Sequence, residues 1–168
     1  GYTMQLPLED RYTVTRQELL ARVIVMMGGR VAEELVFSEV TTGAQNDLEN
    51  ATELVRRMVC EFGMSDRLGT LTYGKRERQV FLGRDLFEER NYSEQTAVLI
   101  DEEIRKIIDT CHDRAKQELM THRVQLDQLA GALLEKEVLD GEEVKQVTGL
   151  GTAPAPAAGP ASNNDHPA

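Results

Sequence analysis

The stretch TTGAQNDLENATELVRRMV, Thr41 to Val59, decides the fold because it carries both a helix start and a long apolar stripe. Thr42 with Gln45 three residues on has the pattern of a capping box, and Asn46 with Glu49 offers a second. Ala44, Leu48, Ala51, Val55, Met58 and Val59 fall on one side at helical spacing, while Glu49, Glu53, Arg56 and Arg57 take the other. Asp47 breaks the pattern. It precedes Ala51, Leu54 and Met58 by four, seven and eleven residues, which continues the shoulder of the buried stripe. A carboxylate aimed coreward needs a partner, because an unpaired buried charge is too unfavourable to keep. Two partners are open. One is the helix itself, whose first-turn N–H groups and dipole favour an acid; the other is a metal ion, since Asp oxygen is an ordinary zinc ligand.

Composition narrows the setting. At 168 residues, the chain is one domain or part of one, and 40% apolar residues are enough for a modest core. A formal net charge of −10 argues against a nucleic-acid surface and against contact with anionic lipid, both of which need excess Lys and Arg. No apolar run approaches the length of a membrane span, so this segment predicts no insertion of its own. Cys60 and Cys111 lie in separate helical stripes and read as reduced core residues.

On the N-terminal side, Tyr2, Met4 and Leu6 alternate with Thr3 and Gln5 until Pro7, the pattern of a short strand. Thr15 with Glu18 forms a capping box for a helix to about Met27, burying Leu19, Leu20, Val23, Ile24 and Met27. Gly28-Gly29 predicts a bend or close packing before a second short helix with Val31, Ala32, Leu35 and Val36 buried. Glu33 and Glu34 flank that short stripe and read as a solvated face.

On the C-terminal side, a Gly-rich connector runs from Gly63 to about Tyr92, with a strand-like piece at Thr70 to Tyr73 and an exposed charge cluster at Lys75 to Arg78. It holds no phosphate-loop pattern. Ser93 caps the longest helix, to about His122, whose stripe is Ile100, Ile104, Ile107, Cys111, Ala115 and Leu119. His112 and His122 have no ligand-spaced partner and read as structural. Another helix, from about Val124 to Lys136, is expected to bury Leu126, Leu129, Ala130, Leu133 and Leu134. Asp140 with Glu143 caps a last short helix ending near Val147. The expected fold is mainly α with a small N-terminal strand remnant, one domain over 1–148, and a flexible Ala/Pro/Gly-rich tail over 149–168 that includes His166.

The segments GYTMQLP, EDRY, TRQELLARV, GGRVAEELVF, the Asp47 helix, FGMSDRLGTL, FLGRD, DEEIRKIID and LLEKEVLDGEEV stand in an order that resembles the protease domain of the FtsH family. Members of that family are membrane-anchored, ATP-dependent zinc metalloproteases. The resemblance implies a zinc cofactor held by two His of an HExxH helix, with its Glu as general base. No HExxH occurs here, and the resemblance places that helix just upstream of the GYT strand. It implies that Asp47, in the NDLE segment, is the third ligand and that Glu33 orients a zinc-bound His through its other ring nitrogen. It also implies that Tyr2, Thr3 and Met4 form an edge strand beside the cleft, able to hold an extended substrate by main-chain hydrogen bonds.

Further implications concern the intact protein. ATP and Mg would be bound by an upstream AAA+ motor, substrates would be unfolded or membrane proteins, and subunits would form a homo- or hetero-hexamer. An upstream anchor would hold the assembly at a membrane with this domain on the cytosolic or stromal-type side. The isolated chain, with one carboxylate of the site, is expected to bind little zinc and to be inactive. The alternative from another class is a non-catalytic assembly module that keeps the fold without the ligands.

Overall fold

A computed structural model describes residues 13–74 and 92–150, which fall into two compact units dividing between Thr121 and His122. The architecture is mainly α, and among the described residues there is no strand, only an isolated antiparallel bridge between Ser65 and Gly69. The strand expected at Tyr2, Thr3 and Met4, the charge cluster at 75–78 and the tail beyond Leu150 lie outside the described residues. No helix among them is long and apolar enough to cross a membrane.

The first unit contains α1 (Arg16–Phe37), a single 3-10 turn (Thr42–Ala44), α2 (Gln45–Cys60) and α3 (Glu94–Thr121). The Thr15–Glu18 capping box starts α1 as expected: the Thr15 amide donates to Glu18 Oε2 at 2.7 Å, and the Glu18 amide returns to Thr15 Oγ1 at 3.3 Å. Gly28-Gly29 does not end this helix. α1 runs through it unbroken, and a Cβ at either glycine would meet nothing within 4 Å among the described residues. The glycines lower local helix propensity by roughly 1 kcal/mol each, but burial of Leu19, Val23, Met27 and Val31 along one face outweighs that penalty.

The three helices pack pairwise around one core. α1 contributes Val23, Met27 and Val31; α2 contributes Ala51, Val55 and Val59; α3 contributes Ile100, Ile104, Ile107, Cys111 and Ala115. The α2 and α3 stripes thus match the periodicity of the sequence. Both cysteines are free, and burial pushes their thiols above the ordinary range, which disfavours the thiolate form. The Ser93 hydroxyl accepts the Thr96 amide at 3.2 Å at the start of α3.

One buried polar contact fastens the connector after α2 to α3. Glu103 is only 3% exposed, on the same face of α3 as Ile100 and Ile107. The Ser65 hydroxyl donates to its Oε2 at 2.8 Å and accepts the Arg67 and Leu68 amides at 3.3 and 3.2 Å. Among the described residues Glu103 Oε1 has no hydrogen-bond donor, although Arg67 Nη1 and Lys106 Nζ stand 4.0 and 3.9 Å away and supply positive charge. Thr70 to Tyr73, expected to be strand-like, is instead held by a bond from the Tyr73 amide to the Cys60 carbonyl at 2.8 Å.

The second unit contains α4 (Arg123–Lys136) and α5 (Gly141–Thr148), which pack on each other. Asp140 and Glu143 form the expected capping box of α5, and Gly149 ends the helix with φ +64°. The burial expected for Leu126, Leu129, Ala130, Leu133 and Leu134 is not found. No α4 residue is buried, and Leu134 is 87% exposed. α5 has only eight residues, too few to cover the apolar side of the longer helix.

Replacing Ser65 by Ala leaves the Glu103 carboxylate and two loop amides short of a partner. Urea unfolding of the chain is expected to show a loss of about 1–3 kcal/mol, the usual effect of orphaning buried polar groups. A change below about 0.5 kcal/mol, the scale of a neutral surface substitution, would contradict the anchoring role.

Candidate metal-ligand site

The connection between α1 and α2 is built from side chains at the end of α1. Glu33 accepts from both donors of Thr41: the hydroxyl reaches Oε1 at 2.7 Å, and the amide reaches Oε2 at 3.2 Å. Arg30 Nη1 donates to the Thr41 carbonyl at 3.2 Å. The Thr41 hydroxyl also accepts the Gly43 amide at 3.1 Å, closing the 3-10 turn that leads into α2. The capping boxes expected at Thr42–Gln45 and Asn46–Glu49 do not form. Thr41 caps the turn instead, Ala44 precedes α2 without a side-chain cap, and the Gln45 amide group donates to Glu49 at 2.9 Å.

Glu33 and Glu34, adjacent in sequence, have separate tasks. Glu34 lies 3.3 Å from Arg30 Nε on its own helix and 3.0 Å from His112 Nε2 on α3. Arg30 therefore joins the α1–α3 contact to the α1–α2 connection. The expectation of a solvated pair gives way to two half-buried carboxylates with protein partners. His112, expected to be structural, has a partner consistent with that role.

Asp47 sits in the first turn of α2 and is exposed. The coreward aim read from its spacing is therefore corrected. Met58, on the same shoulder of the helix, is completely buried, whereas the shoulder at the first turn is open. No hydrogen bond or ion pair engages the Asp47 carboxylate among the described residues. An unengaged oxygen donor of this type fits one position of a zinc site, which typically takes about three protein ligands when catalytic. Among the described residues no three His, Cys, Asp or Glu side chains are grouped to hold a metal.

The model of peptidase family M41 matches residues 1–147. The chain belongs to that family. It is 59% identical over 147 residues to an "ATP-dependent zinc metalloprotease FtsH" of Pseudothermotoga lettingae, covering 88% of this chain and 24% of the relative. A protein of the same name in Thermotoga maritima is 51% identical over 147 residues, with the same 88% and 24% coverage. One from Bacillus subtilis is 52% identical over 155 residues, covering 92% of this chain and 24% of the relative. This M41 chain therefore spans about a quarter of the length of these relatives.

Ser65 and Glu103 escaped the sequence reading. Glu103 carried a signal, since it lies three residues after Ile100 and four before Ile107, inside the apolar stripe. Thr41 stood out in the sequence only as the first residue of the stretch that leads into α2.

The Glu33 carboxyl is held below the ordinary glutamate range, first by the Thr41 hydroxyl, then by the Thr41 amide and the Arg30 charge. An unfolded chain then takes up this proton at higher pH than the folded one, so the contribution to stability is full above the ordinary glutamate value. It disappears as pH falls through the lower folded value. Urea unfolding of the chain and its Glu33→Gln variant between about pH 6 and pH 3 is expected to show a stability gap that narrows with acid. A gap independent of pH would contradict the depressed carboxyl.

Proposed function

We propose that this chain is part of the proteolytic domain of an ATP-dependent zinc metalloendopeptidase, and that Asp47 is its contribution to the metal site. The observation that carries the reading is the Asp47 carboxylate itself, exposed in the first turn of α2 and engaged by nothing among the described residues. Family membership over 1–147 supports the reaction class.

Bound zinc supplies the Lewis acidity that polarises a scissile carbonyl and acidifies water. Asp47 would bind that ion by oxygen, and its negative charge would partly neutralise the cation. The α2 core residues hold the helix that presents it, and the α1–α2 connection fixes where that helix begins. Glu33 has room for a further role. A carboxylate has about four acceptor sites, and Thr41 uses two of them. One remaining site could accept the outer ring N–H of a zinc-bound imidazole, fixing its tautomer. Tyr2, Thr3 and Met4 are proposed to offer main-chain groups to an extended substrate.

In the intact protein this domain would work beneath an ATP-driven motor, in a ring of six anchored at a membrane, on polypeptide substrates that are unfolded or embedded. A single carboxylate makes a weak site, so the isolated chain is proposed to retain little zinc and to lack peptidase activity.

Elemental analysis of the full-length protein and its Asp47→Ala variant, after dialysis against a mild chelator, tests the assignment. The parent is expected to keep zinc stoichiometrically, and the variant is expected to lose most of it together with peptidase activity. Equal zinc in both would remove Asp47 from the site. Absence of zinc from both would favour the non-catalytic assembly module.

A further inference from the structure

We propose that Thr41 is a positioning residue for Asp47, acting through the clamp that α1 closes on it. This rests on the assignment of Asp47 as a metal ligand and adds the device that sets where the ligand stands. Each polar atom of Thr41 has a partner: the amide and hydroxyl donate to Glu33, the carbonyl accepts from Arg30, and the hydroxyl also accepts the Gly43 amide. Only the 3-10 turn separates Thr41 from α2, and Asp47 is the third residue of that helix. Ala44, at the start of α2, supplies no side-chain cap, so the first turn of α2 has no local anchor of that kind. Buried Ala44, Leu48 packed against the core and clamped Thr41 hold it.

The fit around the clamp is close. A methyl group at Gly43 would stand 3.2 Å from Thr41 Oγ1, which would have to give way by a few tenths of an ångström, and 3.5 Å from Glu33 Oε1, an ordinary contact. A ligand carboxylate must be held within a fraction of an ångström of its productive place. Groups hydrogen-bonded to a ligand typically change metal affinity by about 10- to 100-fold when altered, and Thr41, which acts through the turn and not by contact with Asp47, is placed at the lower end of that range.

The test uses the full-length zinc protein with Thr41→Val, Thr41→Ser and Asp47→Ala, singly and with each Thr41 change combined with Asp47→Ala. Zinc affinity is read by competition with a chelator, and thermal melting of the metal-free proteins reports the overall fold. Thr41→Val removes the hydroxyl at nearly constant shape and is expected to weaken zinc binding about 10-fold. Thr41→Ser is expected to restore the parent value. In the Asp47→Ala background, Thr41→Val is expected to have no further effect, because the ligand it positions is gone. If Thr41→Val fails to fold, Gly43→Ala makes the same comparison by pressing on the same hydroxyl. Unchanged zinc affinity in Thr41→Val, or an equal loss with and without Asp47, would overturn the positioning role. Asp47→Ala with full zinc affinity would instead overturn the ligand assignment on which it rests.

Discussion

Thr41 is where the connection into α2 is fastened to α1 by polar contacts. Its hydroxyl and amide take both oxygens of Glu33, and its carbonyl is held by Arg30. Apolar packing between α1 and α2 holds the helices together but leaves freedom in how one end meets the other, since dispersion and burial are non-directional. Hydrogen bonds restrict that freedom because they weaken steeply with angle and distance. Arg30 also contacts Glu34, which meets His112 of α3, so the corner is continuous with the contact between α1 and α3.

A similar division of labour recurs at the other end of α2. Its last turn runs into a connector that the Ser65 hydroxyl and the buried Glu103 carboxylate tie to α3. In both places a short hydroxyl side chain bridges a carboxylate on a long helix and amides of a turn. The carboxylates are set by well-packed helices, and the turns take their shape from them. α2 is therefore constrained at both ends while its middle is held by Ala51, Val55, Met58 and Val59.

Much of this was legible in the sequence where periodicity alone decides the outcome. The stripes of α2 and α3 and the capping boxes at Thr15 and Asp140 appear where their residues predict, because each depends on neighbours three or four positions away. Features that depend on distant neighbours were misread. Gly28-Gly29 reads as a break, but packing on both sides carries α1 through it. Asp47 reads as coreward, but its shoulder of α2 is covered only farther along the helix. The leucines of α4 read as core, yet α5 is too short to cover them. Thr42 reads as the cap, yet the carboxylate that selects Thr41 lies eight residues back on another helix. Family membership was legible because it rests on ordered segments spread across the chain and not on any single contact.

The decisive quantity is where the Asp47 oxygens lie when the full-length protein holds its metal. A crystal structure of that zinc-loaded protein, with the ion located by anomalous scattering at the zinc edge, measures this directly. One Asp47 oxygen is predicted at about 2.0–2.2 Å from the ion, the usual carboxylate–zinc distance, with Thr41 still closed on Glu33. Asp47 in solvent, with another side chain completing the coordination, would contradict the account.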